Sequence, residues 1–416
     1  MLRTAPPAGS SLLVQDPGAG THRAADHARR AVTGAFGASG FAFASWASRV
    51  PQVRHSLDLS PRALGLVLLA IAGGSIVALP LAGVVVTRLG AARTVSSMSL
   101  VLAGGLAAVA VGQHVSVLPV VVGLFLLGFG NGTWDVAMNV AAADVEQRLG
   151  RSIMSRFHAA YSLGTVVGAL LGTAMVALRV PVMAHLLAVA GGVALVVPRV
   201  ARFFLPTIPR RTDQRLGDAP RHPLRAWTEP RTLLIGLLVL AMAFSEGTGN
   251  DWLGIAIIDG YGAPAVLGLL TLGVFLAAMT AGRWFGPAVL DRYGRAPVLR
   301  ASAGCALAGL FIVSFGGSVP ISMAGAALWG LGTAQGFPVG MSAAADDPEL
   351  AAARVSVVAS IGYVAFLAGP PLIGFLGNRV GVLHAVSAAT GLLAVGLLVA
   401  GACRPLPVAG NVPLSN

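Results

Sequence analysis

The chain has 416 residues, of which 56% are hydrophobic and only 11% charged. A soluble protein of this length needs about twice that charge to cover its surface, so the composition fits lipid as the solvent. The formal charge of +12 comes entirely from Arg, and these residues lie between apolar stretches, not along one face, which argues against a nucleic-acid partner.

Stretches of about 17–25 apolar residues suffice to cross the hydrocarbon. Twelve occur, at about 31–50, 63–86, 95–112, 117–142, 158–178, 183–204, 231–256, 265–288, 297–315, 319–343, 355–376 and 381–400. The expected fold is an all-α membrane protein of twelve transmembrane helices in two six-helix halves. Residues 1–30 read as a flexible tail, and a cleaved signal is not expected because the first apolar stretch runs on into a span. The first half covers 31–204, a Pro- and Arg-rich linker 205–230, the second half 231–402, and a tail 403–416. Cytoplasmic loops collect Arg. Only Arg54, Arg62, Arg179 and Arg379 fall between spans on the side away from the linker, with Arg49 at that end of span 1, which places both termini and the linker in the cytoplasm.

Span 4 carries Asn131, Asp135 and Asn139 at i, i+4 and i+8, with Trp134 and Met138 beside them on one helix face. A carboxyl inside hydrocarbon costs several kcal/mol unless it is paired, hydrated or protonated. This face is expected to line the pore, with Asp135 loading and releasing a proton. The alternative is a structural hydrogen-bond network to span 1 or 2. His158 and His185, at span ends, read as structural hydrogen-bond partners.

Span 7 holds Glu246, Asn250 and Asp251 around Gly247 and Gly249. Two Gly so close weaken a helix, so a break facing a cavity is expected here. Glu246 is the deeper acid and the second candidate for proton coupling; Asn250 shares its face. Asp251 and Arg49, at equivalent outer positions, read as independent interfacial charges in preference to an external gate pair. Arg283, in span 8, reads as snorkelling toward the cytoplasm.

A shift of 202 residues aligns parts of the two halves. Gly128, Gly130 and Ala141-Ala142-Ala143-Asp144 land on Gly330, Gly332 and Ala343-Ala344-Ala345-Asp346, Tyr161 on Tyr363, and Gly172 on Gly374. At an offset of 204, Thr87-Arg88-Leu89-Gly90 meets Asp291-Arg292-Tyr293-Gly294, followed by Arg93 and Arg295. A parallel six-helix repeat suits a carrier that binds solute at mid-membrane between rocking halves. The polar groups are not duplicated, since Asp135 lands on Phe337, Asn131 on Thr333 and Asn139 on Met341.

Over its spanning region the chain resembles the major facilitator superfamily. Asp291-Arg292-Tyr293-Gly294-Arg295 is similar to that family's cytoplasmic gate motif, although Pro287 stands where a leading Gly is usual and Thr87 replaces the Asp of the first copy. The resemblance implies a gate built from Arg88, Arg93, Asp291, Arg292 and Arg295. It also implies a cavity lined by spans 1, 4, 7 and 10, which adds Trp46, Gln335 and Phe337 to the binding candidates. The runs at 130–139 and 368–374 resemble bacterial members of the fucose-permease-like branch.

Cys305 and Cys403 show no metal-ligand spacing, and without Lys no Gly-x-x-x-x-Gly-Lys phosphate loop exists. No enzyme activity, cofactor or metal is expected. The leading reading is a monomeric secondary transporter of the bacterial cytoplasmic membrane, moving a small polar solute with protons. An efflux carrier is the runner-up, disfavoured because Ala169 and Thr173 break the span 5 pattern of exporters. A membrane scaffold is disfavoured by its intramembrane acids.

Overall fold

In the computed structural model residues 17–59, 61–206 and 223–406 are described, and they contain helices and connecting turns with no strand. The first half comprises α1 (Pro17–Ala47), α2 (Val50–Ser56), α3 (Pro61–Leu89), α4 (Ala91–Gly112), α5 (Val117–Leu149), α6 (Met154–Ala177) and α7 (Val182–Ala201). The second comprises α8 (Pro230–Tyr261), α9 (Ala265–Tyr293), α10 (Arg295–Phe315), α11 (Val319–Thr333), α12 (Gly336–Ala344), α13 (Ala351–Val380), α14 (Val382–Ala385) and α15 (Ala389–Val399). Among the described residues ten helical segments are long and apolar enough to cross a membrane. The other two expected spans fall on α1 and on the α11–α12 pair.

Three differences from the sequence reading have local causes. The first helix begins at Pro17, so part of the segment read as a tail is helical; residues 1–16, like 207–222 of the linker and 407–416, lie outside the described residues. Span 7 is one unbroken helix, α8, despite Gly247 and Gly249. These glycines serve close packing: a Cβ on Gly249 would sit 2.5 Å from Phe275 Cζ, and one on Gly247 3.2 Å from Phe366 Cδ1. The break lies in span 10, where α11 ends at Thr333 and α12 starts at Gly336. Pro338 has no N–H to donate to the Ala334 carbonyl four residues back, so the helix parts there.

The repeat is present in the packing. Gly128 brings α5 against the Ile71 carbonyl of α3, and Gly330 brings α11 against the Phe275 carbonyl of α9. Gly105 and Gly123 do the same between α4 and α5, as Gly309 and Gly325 do between α10 and α11. Gly90 and Gly294, equivalent under the shift, turn the chain between paired helices at φ 78° and 79°, a conformation disfavoured for side-chain-bearing residues. The halves meet reciprocally, α3 against α13 and α6 against α9, with α12 reaching α5 and α6.

Candidate functional site

The halves are joined by side-chain hydrogen bonds and an ion pair that cluster at one end, here called the loop end, where the α3–α4, α5–α6, α9–α10 and α12–α13 turns lie. Glu146, near the end of α5, organises this seal. Its Oε2 accepts from the backbone N–H groups of Ile153 and Met154, 2.7 Å each, capping the start of α6. Its Oε1 accepts from the Ser342 hydroxyl of the second half and lies 3.8 Å from an Arg295 nitrogen. Arg295 also donates to Ser342 Oγ at 2.7 Å and to Asp346 Oδ1 at 2.6 Å, while Arg231 holds the other Asp346 oxygen at 2.6 Å. Gln147 donates to the Ala345 carbonyl at 2.7 Å, the Ser152 N–H to Asp291 Oδ1 at 2.7 Å, and Ser356 to the Leu79 carbonyl at 2.5 Å. Asp291 and Arg295 of the gate motif therefore bridge the halves. Arg88, Arg93 and Arg292 are exposed, and Arg292 lies over the Tyr293 ring of its own helix at 5.3 Å. Among the described residues the first-half copy of the motif makes no such bridge; there Gly83 lets α3 approach Ala352 and Ser356 of α13 directly.

Gln335, at the break between α11 and α12, belongs to the same seal. Its Oε1 accepts from Ser155 of α6 at 2.5 Å and its amide donates to the Gly282 carbonyl of α9 at 2.5 Å. A cavity of about 410 Å³ at the loop end is lined mainly by apolar side chains and backbone, with Asp144 and Arg148 paired to each other at 3.2 Å. It lies toward the loops from the intramembrane acids.

Deeper in, polar groups from both halves converge. Asp135 of α5 is 7% exposed; its Oδ1 accepts from Asn139 Nδ2 at 3.2 Å and its Oδ2 has no hydrogen-bond partner. Asn139 Oδ1 lies 3.1 Å from His158 Nε2 of α6. The imidazole meets Phe36 of α1 and Phe337 of α12 edge-on, at centroid distances of 5.0 and 5.5 Å. The Tyr363 hydroxyl of α13 approaches the Asp135 carboxyl from the second half as a further donor, and Tyr161 of α6 lies within electrostatic reach of Asp135, Arg283 and Glu246.

Arg283 does not snorkel. It is buried and donates to Glu246 Oε1 at 2.7 Å and to Ser162 Oγ, across the interface, at 2.9 Å. A cation ten residues inside α9 could not reach the loop-end water without leaving this acid, and a buried partner holds it more strongly than a distant interface would. The two intramembrane acids thus have different surroundings: Glu246 is neutralised by Arg283, whereas Asp135 has no cation in hydrogen-bond reach among the described residues.

The remaining candidates separate. Asn131 accepts from Ser39 of α1 at 2.9 Å, the structural alternative considered for this face. Trp134 and Met138 are fully buried in the packed core, as is Trp46. Asn250 and Asp251 are exposed. Arg49 is buried and donates to His185 Nδ1 at 2.9 Å, so it forms no external pair with Asp251. Sequence reasoning singled out neither Tyr161, Ser162 nor Tyr363 for the site. A signal existed, because the chain has only four Tyr and two of them are equivalent under the repeat.

Residues 31–370 match the family model described as Major Facilitator Superfamily. The chain is 31% identical over 352 residues to an uncharacterized transporter of Sinorhizobium fredii, covering 83% of this chain and 90% of that one. It is 30% identical over 369 residues to an uncharacterized transporter of that superfamily from Yersinia pestis, covering 88% and 92%. Among solved structures it is similar to the Escherichia coli fucose:proton symporter FucP, with a TM-score of 0.72, 16% identity and coverage of 91% and 98%, and to FucP in the outward conformation, with a TM-score of 0.73 and the same identity and coverage. It is also similar to the proton:xylose symporter XylE, with a TM-score of 0.62, 14% identity and coverage of 91% and 95%.

Proposed function

Because the chain belongs to the Major Facilitator Superfamily, we propose that it is a proton-coupled carrier of a small polar solute, such as a sugar, working by alternating access. It is a multi-pass membrane transporter and not an enzyme. The observation that carries the coupling is the unequal treatment of two intramembrane carboxyls. Glu246 is held by Arg283 at 2.7 Å and needs no proton for neutrality, whereas Asp135 has no cation partner and lies at the interface the halves must open. A lone carboxylate is costly in a low-dielectric site. In this reading Asp135 is the proton carrier, and Glu246 and Arg283 form the fixed polar wall of the solute site beside Tyr161 and Tyr363.

The Arg distribution supports a cytoplasmic loop end, and with that end sealed the state is outward-facing. The likeness to FucP in the outward conformation supports this reading. The gate is the Glu146–Ser342–Arg295 assembly with Gln335 and Asp291. The sugar assignment rests on the named solutes of the structural neighbours and on the mixture of carboxyls, hydroxyls and aromatic rings in the site. The carrier works as a monomer in the bacterial cytoplasmic membrane.

The test is flux into proteoliposomes under an imposed pH gradient, with radiolabelled fucose, xylose and a panel of related sugars and polyols. Wild type accumulates a solute uphill, while Asp135→Asn exchanges it without accumulating it. Uphill accumulation that survives intact in Asp135→Asn rejects the proton assignment. Accumulation of drugs and of none of the sugars moves the protein to the efflux class.

A further inference from the structure

The hydrogen bonds around Asp135 have a direction. Asn139 Nδ2 lies 2.9 Å from the Asp135 backbone carbonyl as well as 3.2 Å from Asp135 Oδ1. The carbonyl can only accept, so the amide must turn its NH₂ group to this side. Its oxygen then faces His158 Nε2 at 3.1 Å, and an amide oxygen can only accept, so Nε2 carries the hydrogen. The chain therefore runs one way, from His158 Nε2–H to Asn139 Oδ1, and from Asn139 Nδ2–H to Asp135 Oδ1. Asp135 Oδ1 is committed as an acceptor within its own half, and Oδ2 has no close donor there; the Tyr363 hydroxyl of α13 approaches the same carboxyl from the second half.

We propose that Asn139 and His158 are positioning residues for the transported proton: their one-way hydrogen-bond chain reserves Asp135 Oδ2 as the atom that binds and releases it. This rests on the reading of Asp135 as the proton carrier. Loading forms the O–H bond on Oδ2 with a proton from water, and release returns the proton to water while the electron pair stays on Oδ2. The chain is held from both halves, because the imidazole lies between Phe36 of α1 and Phe337 of α12. When the halves part at the loop end, Phe337 leaves the ring, so the donor to Asn139 is held most firmly in the sealed state. The other charged or titratable groups around this chain are Tyr161 on α6, Arg283 on α9, Glu246 on α8 and Tyr363 on α13.

The experiment reads the acid directly and needs no solute. Infrared difference spectra of the purified full-length protein in lipid bilayers, wild type minus Asp135→Asn, isolate the protonated-carboxyl band of Asp135, which is then followed against pH. A donor to a carboxylate favours its charged form. Removing the chain with His158→Phe, which keeps an aromatic ring, or with Asn139→Leu is expected to move the midpoint to higher pH by about one unit. His158→Gln, whose amide can still donate, is expected to titrate as wild type does. A wild-type midpoint in both chain-breaking variants, or a shift in His158→Gln as large as in His158→Phe, overturns the proposal. If His158→Phe does not fold, Asn139→Leu against His158→Gln decides in the same way. Absence of any Asp135 band that titrates would reject the proton-carrier reading itself, whereas a titrating band indifferent to these variants rejects only the positioning chain.

Discussion

The Arg283 guanidinium lies 2.7 Å from Glu246 within its own half and 2.9 Å from the Ser162 hydroxyl of the other. One cation thus neutralises the deeper acid and ties the two halves together. The Arg283 side chain is buried and that of Glu246 only 13% exposed, so neither charge is stable alone. Glu246→Gln or Arg283→Met should each cost about 3–5 kcal/mol, because each leaves an uncompensated buried charge. The double variant Glu246→Met/Arg283→Met should recover most of that stability while losing transport. Denaturant unfolding of the detergent-solubilised protein checks this, and a double variant as unstable as the sum of the singles contradicts it.

The loop-end seal makes a second prediction, about conformation. Glu146 caps α6 with one oxygen and reaches Ser342 and Arg295 with the other. Glu146→Gln keeps the volume and an acceptor but loses the charge that Arg295 faces. The sealed state should lose population relative to the open one. A cysteine placed at Ser155, which is buried beneath the seal beside Gln335, reports this in a background where Cys305 and Cys403 are serine. Its labelling by a membrane-impermeant thiol reagent applied from the loop end should rise several-fold in Glu146→Gln. An unchanged rate removes Glu146 from the gate.

The spans and the repeat were legible because they rest on one-dimensional signals: long apolar runs and glycines at fixed offsets. Gly128 and Gly330 could be matched without knowing that each faces a carbonyl of a neighbouring helix. Asp135 and Glu246 stood out because acids are rare in hydrocarbon. What the carboxyls meet was not legible, because partners come from other helices. Arg283 is 37 residues from Glu246 and 121 from Ser162, and hydropathy alone gives it an ordinary fate near a span end. His158 reads from the sequence as a structural hydrogen-bond partner, and its bond to Asn139 agrees; that Asn139 in turn serves Asp135 was not legible. The break in span 10 carried a local signal, Pro338, but the glycines of span 7 carried a stronger one, and only packing against Phe275 and Phe366 shows why that helix stays whole.

Glu229 gives an acid-stability prediction outside the spans. At the start of α8 it accepts from Arg354 Nε at 2.6 Å and from the Thr232 hydroxyl at 2.9 Å. Burial acts to raise its pKa, but these hydrogen bonds and the Arg354 charge outweigh it and hold the carboxyl below its ordinary range. The ionised form is therefore favoured by folding. The contribution is fully present above the unfolded value, about 4.3, and is lost as pH falls through the lower folded value. Glu229→Gln should lower stability by about 1–3 kcal/mol at neutral pH, and its deficit should shrink as the solution is acidified. Unfolding midpoints measured from neutral pH down to about pH 3 check the sign, and a deficit that grows toward acid contradicts it.

The duplicated glycines give a prediction about the scaffold. At Gly128 and Gly330 an added Cβ would enter the space of the Ile71 and Phe275 carbonyl groups. Backbone cannot rotate away as a side-chain tip can, so the helix pair must separate. Gly128→Ala and Gly330→Ala should each destabilise by about 1–3 kcal/mol through overpacking, and by similar amounts because the two contacts are repeat-equivalent. Gly104 is the control: a Cβ there meets nothing, and the helix gains from losing a flexible residue. Gly104→Ala should hold or raise the unfolding temperature while both other variants lower it. Equal, harmless effects at all three positions would mean that these glycines reflect composition alone. A loss at Gly128 without one at Gly330 would mean that the break beside Gln335 lets span 10 absorb a strain that the continuous α5 cannot.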